Sequence, residues 1–298
     1  MSLPPPIFKD PNHQLKFDQD GFVVVPFLNP TQVAELDDFF NSEHTMNTPS
    51  GFYSGSFSAD KNYKERCSSK IMSYLAPKYE EIFQNYDSNG ATFLYKVPGP
   101  QSELACHHDW STVEEEIAVA LNCWIPLTNT NLENGPLYFL PGSQFSKHPI
   151  YRGPSIPFFF QGNDDILLKY MVPICVEAGT AIFLNQSVIH YSSANKSDSI
   201  RKAITAGVKT KGSPMLMHYL NEKTNEIETY RQSNNFLLEF DDFGAALKNK
   251  PQGQLISSIP FIPVAKKREE LEKWAQETRN ESSIPYKEKT SNWLRRWF

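Results

Sequence analysis

Two short segments of the sequence carry side chains that could bind one metal ion together. His107 and Asp109 are separated by one residue in the segment Cys106-His107-His108-Asp109-Trp110. In an extended chain, residues i and i+2 point to the same face, so this imidazole and carboxylate would lie side by side and His108 would point the opposite way. They are two of the three ligands of a 2-His-1-carboxylate triad, which leaves adjacent metal positions open for a bidentate oxoacid and O₂. A second histidine must come from elsewhere in the chain.

His190 is the best candidate for the missing ligand. We predict that it ends an apolar strand, TAIFLNQSVIH, at the point where a barrel strand reaches the rim of its cavity. Arg201 follows eleven positions later and opens the next strand, KAITAGV. A planar guanidinium binds a carboxylate through two hydrogen bonds and stays charged, so Arg201 is suited to the far carboxylate of 2-oxoglutarate. Ser192 shares a face with His190 and could add a hydroxyl to the same carboxylate.

Each of these residues also has an ordinary structural interpretation. His107 and Asp109 could form a surface ion pair, His190 could be a core histidine, and Arg201 could be a solvated charge at a strand end. The combination within one β-rich pattern favours the metal site. Two other functions stay open: a zinc hydrolase with Cys106 as an added ligand, and a barrel that only binds a ligand or partner.

The composition sets limits on the class of protein. The 298 residues are 40% hydrophobic and 21% charged, which is typical of a globular chain. The net charge of −5 gives no reason to expect a nucleic-acid partner. No segment approaches the roughly 20 apolar residues of a membrane span, and the first residues lack the pattern of a secretory signal. Four scattered cysteines without a CxxC pair are typical of a reducing compartment, so we expect a cytoplasmic protein.

The periodicity predicts one domain over residues 1–298, mainly β with flanking helices. Residues 20–28 should form a strand, and two helices should follow, at about 30–40 and 63–86. After residue 91, short apolar runs alternate with Pro-Gly and Asn-Gly turns, which favours a sandwich or barrel over residues 91–210. Residues 143–173 are irregular and could form a lid.

Two aromatic segments have open roles. Phe158-Phe159-Phe160, within the predicted lid, could cap an apolar substrate or be buried in the core. The extension over residues 211–298 includes an amphipathic helix near Leu271 and Trp274 and ends Trp293-Leu294-Arg295-Arg296-Trp297-Phe298. That end could touch a membrane surface or pack against the domain or a second subunit.

At these residues the chain resembles the phytanoyl-CoA dioxygenase family of Fe(II)- and 2-oxoglutarate-dependent oxygenases. The resemblance covers roughly two thirds of the chain, and the Asn134-Gly135-Pro136-Leu137 and Pro141-Gly142-Ser143 turns are its most distinctive part beside the ligands. The matching segments are GFVVVPFLNPTQVAEL, HHDWSTV, CWIPLTNTNLENGPLYFLPGSQ and EAGTAIFLNQSVIHYSSANKSDSIRKAI. The family often has histidine after Pro-Gly-Ser, where this chain has Gln144.

The resemblance implies a double-stranded β-helix, a jelly-roll of the cupin type, with Fe(II) at its open end. It assigns the iron to His107, Asp109 and His190. It assigns contacts with the cosubstrate 2-oxoglutarate to Arg201, Ser192, Trp124 and, through its strand, Thr92. O₂ would be the second cosubstrate.

The resemblance also bears on the reaction and the substrate. Family halogenases have a small residue in place of the carboxylate ligand, so Asp109 favours hydroxylation or a related oxidation. The substrate would be a small organic molecule, such as an acyl-CoA, a carrier-bound acyl group or a natural-product intermediate. His108, Trp110 and Phe159 are the candidate residues of its pocket, and the oligomeric state is left open.

Overall fold

A computed structural model describes residues 4–44, 48–145, 151–239, 249–264 and 266–284. The helices are α1 Pro11–Asp20, α2 Pro30–Glu43, α3 Lys61–Ile82, α4 Asp164–Tyr170, α5 Phe236–Glu239 and α6 Arg268–Asn280. The strands are β1 Phe22–Pro26, β2 Gly51–Ser54, β3 Tyr86–Val97, β4 Leu104–His107, β5 Ala120–Pro126, β6 Leu137–Phe139, β7 Val172–Ile174, β8 Thr180–Asn185, β9 His190–Ser192, β10 Arg201–Thr210, β11 Met215–Asn221, β12 Glu226–Gln232 and β13 Gln254–Pro260.

Two antiparallel sheets build the core of the fold. A six-stranded sheet has the order β1-β8-β5-β10-β3-β2, and a four-stranded sheet has the order β4-β9-β6-β7. A buried apolar cluster joins them: Phe22 of the larger sheet stacks on Phe139 of the smaller one at 4.3 Å, and Trp124 and Ile182 belong to the same cluster. This architecture confirms the predicted mainly β fold with flanking helices.

The largest apolar cluster lies on the other face of the six-stranded sheet. There α2 and α3 cover residues that alternate with those facing the cavity, such as Phe93 of β3 and Phe183 of β8. The ring of Phe183 is surrounded by Phe8, Phe27 and Phe83, at centroid distances of 5.7, 5.5 and 5.2 Å. The helices therefore fix the outer face of the sheet, and its inner face is left to line a cavity.

Local sequence signals explain where α2 begins. The Asn29 side chain accepts a hydrogen bond from the Gln32 amide, and the Gln32 side chain accepts one from the Asn29 amide. This capping box, with Pro30 at the first helical position, satisfies amide groups that have no partner within the helix. The helix predicted from this pattern is confirmed and extends to Glu43.

One predicted strand is wrong and has to be divided. The run TAIFLNQSVIH is β8, which ends at Asn185, followed by a turn and then by β9, which begins at His190 in the other sheet. The Asn185 side chain causes the break, because its Oδ1 accepts hydrogen bonds from both the amide and the hydroxyl of Ser187. His190 therefore starts a strand instead of ending one.

Other elements differ from the predictions in smaller ways. The predicted 63–86 helix ends at Ile82, because β3 begins at Tyr86. The region predicted as an irregular lid contains α4, and residues 146–150 within it lie outside the described residues. Helix α1 and the three-stranded sheet β11-β12-β13 were not predicted.

The described part of the extension contains the amphipathic helix that the sequence predicts. It is α6, Arg268–Asn280, and its residues Leu271 and Ala275 are fully buried. The aromatic end at 293–298 lies outside the described residues. Within the described ranges, the structure contains no helix that is long and apolar enough to cross a membrane.

We predict that Phe183→Ala lowers the free energy of unfolding by about 3–5 kcal/mol, because it leaves a cavity among three aromatic rings. Equilibrium denaturation in urea measures this change. Leu15→Ala is the control, since Leu15 is 65% exposed, and it should change the free energy by less than about 0.5 kcal/mol. A similar small change for Phe183→Ala would contradict the proposed packing.

Candidate metal centre and cavity

Pairing between β4 and β9 brings the two histidines together. His107 and His190 are direct partners in this antiparallel pair, and their ring centroids are 4.1 Å apart. Asp109 follows β4 by two residues, and its Oδ1 lies 3.9 Å from the Nε2 atom of each histidine. The three possible ligand atoms lie within 4.8 Å of one another. The structure thus brings together the residues that the sequence placed at the metal.

Backbone hydrogen bonds orient both imidazoles. Nδ1 of His107 lies 2.8 Å from the Ala105 carbonyl oxygen, and Nδ1 of His190 lies 3.0 Å from the Val188 carbonyl oxygen. A carbonyl oxygen only accepts, so each Nδ1 must carry the proton. The lone pair is then on Nε2, which faces the centre of the cluster. This is the usual arrangement of metal-binding histidines.

The carboxylate of Asp109 is also held in one orientation. The Asn122 side-chain amide on β5 donates to Oδ2 of Asp109 at 2.7 Å, so Oδ1 is left to face the histidines. The backbone carbonyl of Asp109 accepts a hydrogen bond from Nε of Arg152 at 2.8 Å. Asn122 and Arg152 were not predicted, because neither has a sequence signal near the HxD segment.

Electrostatics keep His107 in the form that binds metals. Burial, and then the neighbouring His190, lower the pKa of His107 to about 4. Its imidazole is therefore neutral near pH 7, as metal binding requires. Two imidazoles and one carboxylate form a donor set that suits Fe(II).

Cys106 does not join this cluster. Its thiol is buried, with Sγ 3.9 Å from Sδ of Met171 on the other side of β4, and burial raises its pKa. The cysteine ligand of the zinc alternative therefore points away from the histidines.

A cavity of about 400 Å³ opens next to the cluster. Its wall includes every residue that the resemblance assigns to iron or to 2-oxoglutarate, namely His107, Asp109, His190, Thr92, Trp124, Ser192 and Arg201. Its size is within the range of small-molecule sites. The alternation along β3, β5, β8 and β10 directs one face of each strand into this space.

Arg201 has an unusual environment within the cavity. It is only 2% exposed, and among the described residues its Nε and Nη1 atoms have no hydrogen-bond partner. Its guanidinium lies 5.3 Å from the centre of the Trp124 ring, and burial lowers its pKa to about 10. Arg201 is still charged near pH 7, so it offers an unmatched buried cation to an anionic ligand.

Four further residues that were predicted to contact 2-oxoglutarate or the substrate also lie in the wall of the cavity. Ser192 is buried and its hydroxyl donates to the Gly135 carbonyl at 3.2 Å. Thr92 is the β3 partner of Thr205. His108 and Trp110 both line the cavity, and the His108 ring packs edge-on against Phe158 at 4.7 Å.

The prediction that Phe159 lines the substrate pocket is wrong. It does not line the cavity; its ring packs against Trp274 of α6 at 5.3 Å and is 6% exposed. Phe158, one residue earlier, lines the cavity instead. The difference arises because α6 supplies an apolar partner for one of three consecutive phenylalanines, which the local sequence does not reveal.

Lys96 is a second buried basic residue, and it was not predicted. It is the β3 partner of Arg201, and its Nζ donates to the carbonyls of Ser192 and Ser193 at 2.9 and 2.6 Å. Burial, and then the charge of Arg201, lower its pKa to about 6. Lys96 follows Thr92 and Leu94 at intervals of two residues, so all three side chains point to the inner face of β3. This spacing is the sequence signal that could have identified Lys96.

We predict that Lys96 makes stability depend on pH. The unfolded chain holds the Lys96 proton up to about pH 10.4, and the folded chain releases it near pH 6. The free energy of unfolding should therefore rise from pH 6.5 to 9, by up to about 1.4 kcal/mol per unit. Lys96→Met should remove this part of the rise in urea denaturation. Lys223→Met, at an exposed position, should keep it. Parallel pH profiles for wild type and Lys96→Met would contradict this account.

Comparison with known proteins agrees with the site. The family profile described as phytanoyl-CoA dioxygenase matches residues 17–203, more than half of the chain. The phytanoyl-CoA dioxygenase domain-containing protein 1 of Bos taurus is 34% identical over 120 residues, which are 38% of this chain and 41% of that protein. The phytanoyl-CoA dioxygenase of Arabidopsis thaliana is 30% identical over 118 residues, which are 39% of this chain and 42% of that protein.

The matched region thus spans about two fifths of these relatives. Among solved structures, the non-haem α-ketoglutarate-dependent carbocyclase SnoK from nogalamycin biosynthesis has a similar fold, with a TM-score of 0.52 and 16% identity. The similarity covers 69% of this chain and 86% of that one. The family profile, which includes the β4 and β9 ligand positions, shows that this chain belongs to the phytanoyl-CoA dioxygenase family of Fe(II)- and 2-oxoglutarate-dependent oxygenases.

Proposed function

We propose that this chain is an Fe(II)- and 2-oxoglutarate-dependent dioxygenase that hydroxylates a C–H bond of a small organic substrate. In the overall reaction, 2-oxoglutarate loses CO₂ and becomes succinate; one atom of O₂ enters succinate and the other enters the substrate. The observation that supports this most strongly is the buried, unmatched guanidinium of Arg201 in the same cavity as the histidine–carboxylate cluster.

The metal would be held by His107, Asp109 and His190. When bound there, Fe(II) supplies the activation of O₂ that is coupled to the decarboxylation of 2-oxoglutarate. The protein contributes the orientation of the ligands. Carbonyl acceptors fix both imidazoles, and Asn122 fixes the carboxylate so that one oxygen is directed to the metal.

The cosubstrate would extend from the metal towards Arg201. The guanidinium would bind its far carboxylate through two charge-assisted hydrogen bonds, which fit the Nε and Nη atoms of arginine. The Trp124 ring beside the guanidinium restricts its movement and excludes water. Ser192 and Thr92 are the neighbouring hydroxyls on this wall of the cavity.

The substrate would enter on the side of His108, Trp110 and Phe158. These rings make a mostly apolar wall that keeps water from the reacting C–H bond. Acyl-CoA, carrier-bound acyl groups and natural-product intermediates are the substrate classes that the proposal includes. Hydroxylation is favoured over halogenation because Asp109 occupies the carboxylate position.

The proposal also covers the organisation of the chain. Residues 1–90 would contribute their helices and the strands β1 and β2 to one oxygenase domain. The remainder of its β-helix core would lie at 91–210, with a lid at 143–173 and an extension at 211–298. The four cysteines have no disulfide partner among the described residues, which supports a reducing compartment such as the cytoplasm.

The proposed function is tested by succinate formation with a panel of carboxylic acids, acyl-CoA thioesters and natural-product scaffolds, under Fe(II) and O₂. We predict that one or more substrates stimulate succinate release and that Asp109→Ala abolishes this stimulated release, because it removes a metal ligand. Asp198→Ala, at an exposed position, should keep it. Stimulated turnover that survives in Asp109→Ala would contradict the proposed metal site.

We predict that Arg201→Ala raises the apparent KM for 2-oxoglutarate by about 10- to 100-fold, because it removes a charged hydrogen-bond pair worth roughly 1.5–3 kcal/mol. Initial-rate kinetics at varied 2-oxoglutarate measure the change. Arg231→Ala removes an exposed arginine and should leave the KM unchanged. An unchanged KM in Arg201→Ala would remove the role proposed for this residue.

We predict that Asn122→Ala weakens metal binding by about 10- to 100-fold, the usual effect of losing a group that orients a ligand. Competition with a chelating dye under anaerobic conditions measures the affinity. The melting temperature of the metal-free protein serves as the folding control. Wild-type affinity in a folded Asn122→Ala protein would show that Asp109 needs no such support.

A further inference from the structure

The cavity continues beyond the metal ligands to a polar end that the proposed reaction leaves without a role. Its wall there includes Lys64 of α3 and Asn89 of β3, which are 2% and 5% exposed. We propose that Lys64 and Asn89 form the subsite that binds an anionic head group of the substrate, a carboxylate or a phosphate. This inference rests on the proposed function, since it assumes that the substrate lies next to the metal.

A row of three residues across the sheet connects this subsite to the metal. Gly207 of β10 is the partner of Asn122 on β5, and Asn122 donates to Asp109. On its other side, Gly207 faces Asn89, at the bulge between Ala206 and Val208. Neighbouring strands are about 4.8 Å apart, so the backbones of Asn89 and Asn122 are separated by roughly 10 Å. That distance is the length of a small molecule.

Gly207 leaves open the space between the two ends of this row. A Cβ atom at this position would lie 3.2 Å from Cβ and 3.6 Å from Nδ2 of Asn89. The φ angle of Gly207 is not positive, unlike that of most glycines in this chain, so the backbone conformation does not require glycine. What the missing side chain provides is room along the cavity wall.

Asn89 has hydrogen-bonding capacity to offer a ligand. Its Oδ1 atom is buried and has no partner among the described residues. An unmatched buried amide is costly, and a hydroxyl or amine of a ligand would satisfy it. A flip of about 180° about the Cβ–Cγ bond exchanges Oδ1 and Nδ2 and would present the amide NH₂ to an anion instead.

The position of Lys64 follows from the contact between α3 and β3. The Ser68 hydroxyl accepts a hydrogen bond from the Ala91 amide at 3.1 Å and lies against Gly90. Lys64 is one helical turn earlier on the same face, and its side chain lines the same cavity as Asn89. An ammonium group has three donors, and it can therefore bind a ligand anion in addition to its neighbours in the protein.

The neighbouring wall is apolar, with Met215 and Leu238 among its residues. The head group would therefore be attached to a short apolar body. Three six-carbon probes separate these features: hexanoate, hexyl phosphate and the neutral 1-hexanol. Their binding is measured by calorimetry on protein loaded with Mn(II) and saturating 2-oxoglutarate without O₂, so no turnover is needed.

We expect at least one anionic probe to bind the wild-type protein about tenfold or more tightly than 1-hexanol, as one charged hydrogen bond allows. The two anionic probes show which head group is preferred. Lys64→Met and Lys64→Gln should both lose this preference. Lys61→Met, an exposed lysine of the same helix, should keep it. Gly207→Val should weaken the binding of all three probes, while the Kd for 2-oxoglutarate stays within about twofold of the wild-type value.

Equal affinities of the three probes for the wild-type protein, or no binding by any of them, would overturn the inference. So would an anion preference that persists in both Lys64 variants. The titration of 2-oxoglutarate that precedes the probes reports separately on the proposed function. If 2-oxoglutarate does not bind, the proposed function fails; if it binds and the Lys64 variants behave as wild type, only the subsite fails.

Discussion

The antiparallel pairing of β4 with β9 is the interaction on which the site depends. It places His107 directly opposite His190, although the two residues are far apart in sequence. Asp109 needs no long-range pairing of its own, because it follows β4 by two residues and Asn122 of the other sheet holds its carboxylate. The metal centre thus lies where the two sheets meet, and a shift of one residue in the β4–β9 register would turn one histidine away from the centre.

The second constraint is the burial of basic side chains. Arg201 and Lys64 line the same cavity, and Lys96 is the strand partner of Arg201. All three are almost completely buried, although the chain as a whole carries a net charge of −5. Removing a cation from water is costly, and Arg201 has unmatched donors among the described residues. The burial of these side chains therefore lowers the stability of the fold, and it produces a cavity that attracts anions. An anionic cosubstrate and an anionic substrate head would offset that cost when they bind.

Local sequence information was sufficient for some parts of the site and not for others. The spacing of His107 and Asp109 follows from strand geometry, and Arg201 was placed correctly at the start of its strand. The turn at Asn185–Ser187 was missed because apolar residues continue on both sides of it. Strand β11 is buried on both faces and β13 is exposed on both, so neither shows the alternation that identifies a strand. Long-range packing also placed Phe158 at the cavity instead of Phe159, and it brought Asn122 and Asn89 there. Strand pairing placed Lys96 beside Arg201.

The most direct measurement of the central claim is an anaerobic titration of the protein with Fe(II) and then with 2-oxoglutarate, followed by visible absorption. A keto acid that chelates Fe(II) in an open triad gives a weak charge-transfer band. We predict that the band saturates at one Fe(II) and one 2-oxoglutarate per chain. Absence of the band in folded protein that has bound Fe(II) would contradict the account, because it would show that the cluster does not hold the metal with adjacent positions open for the cosubstrate.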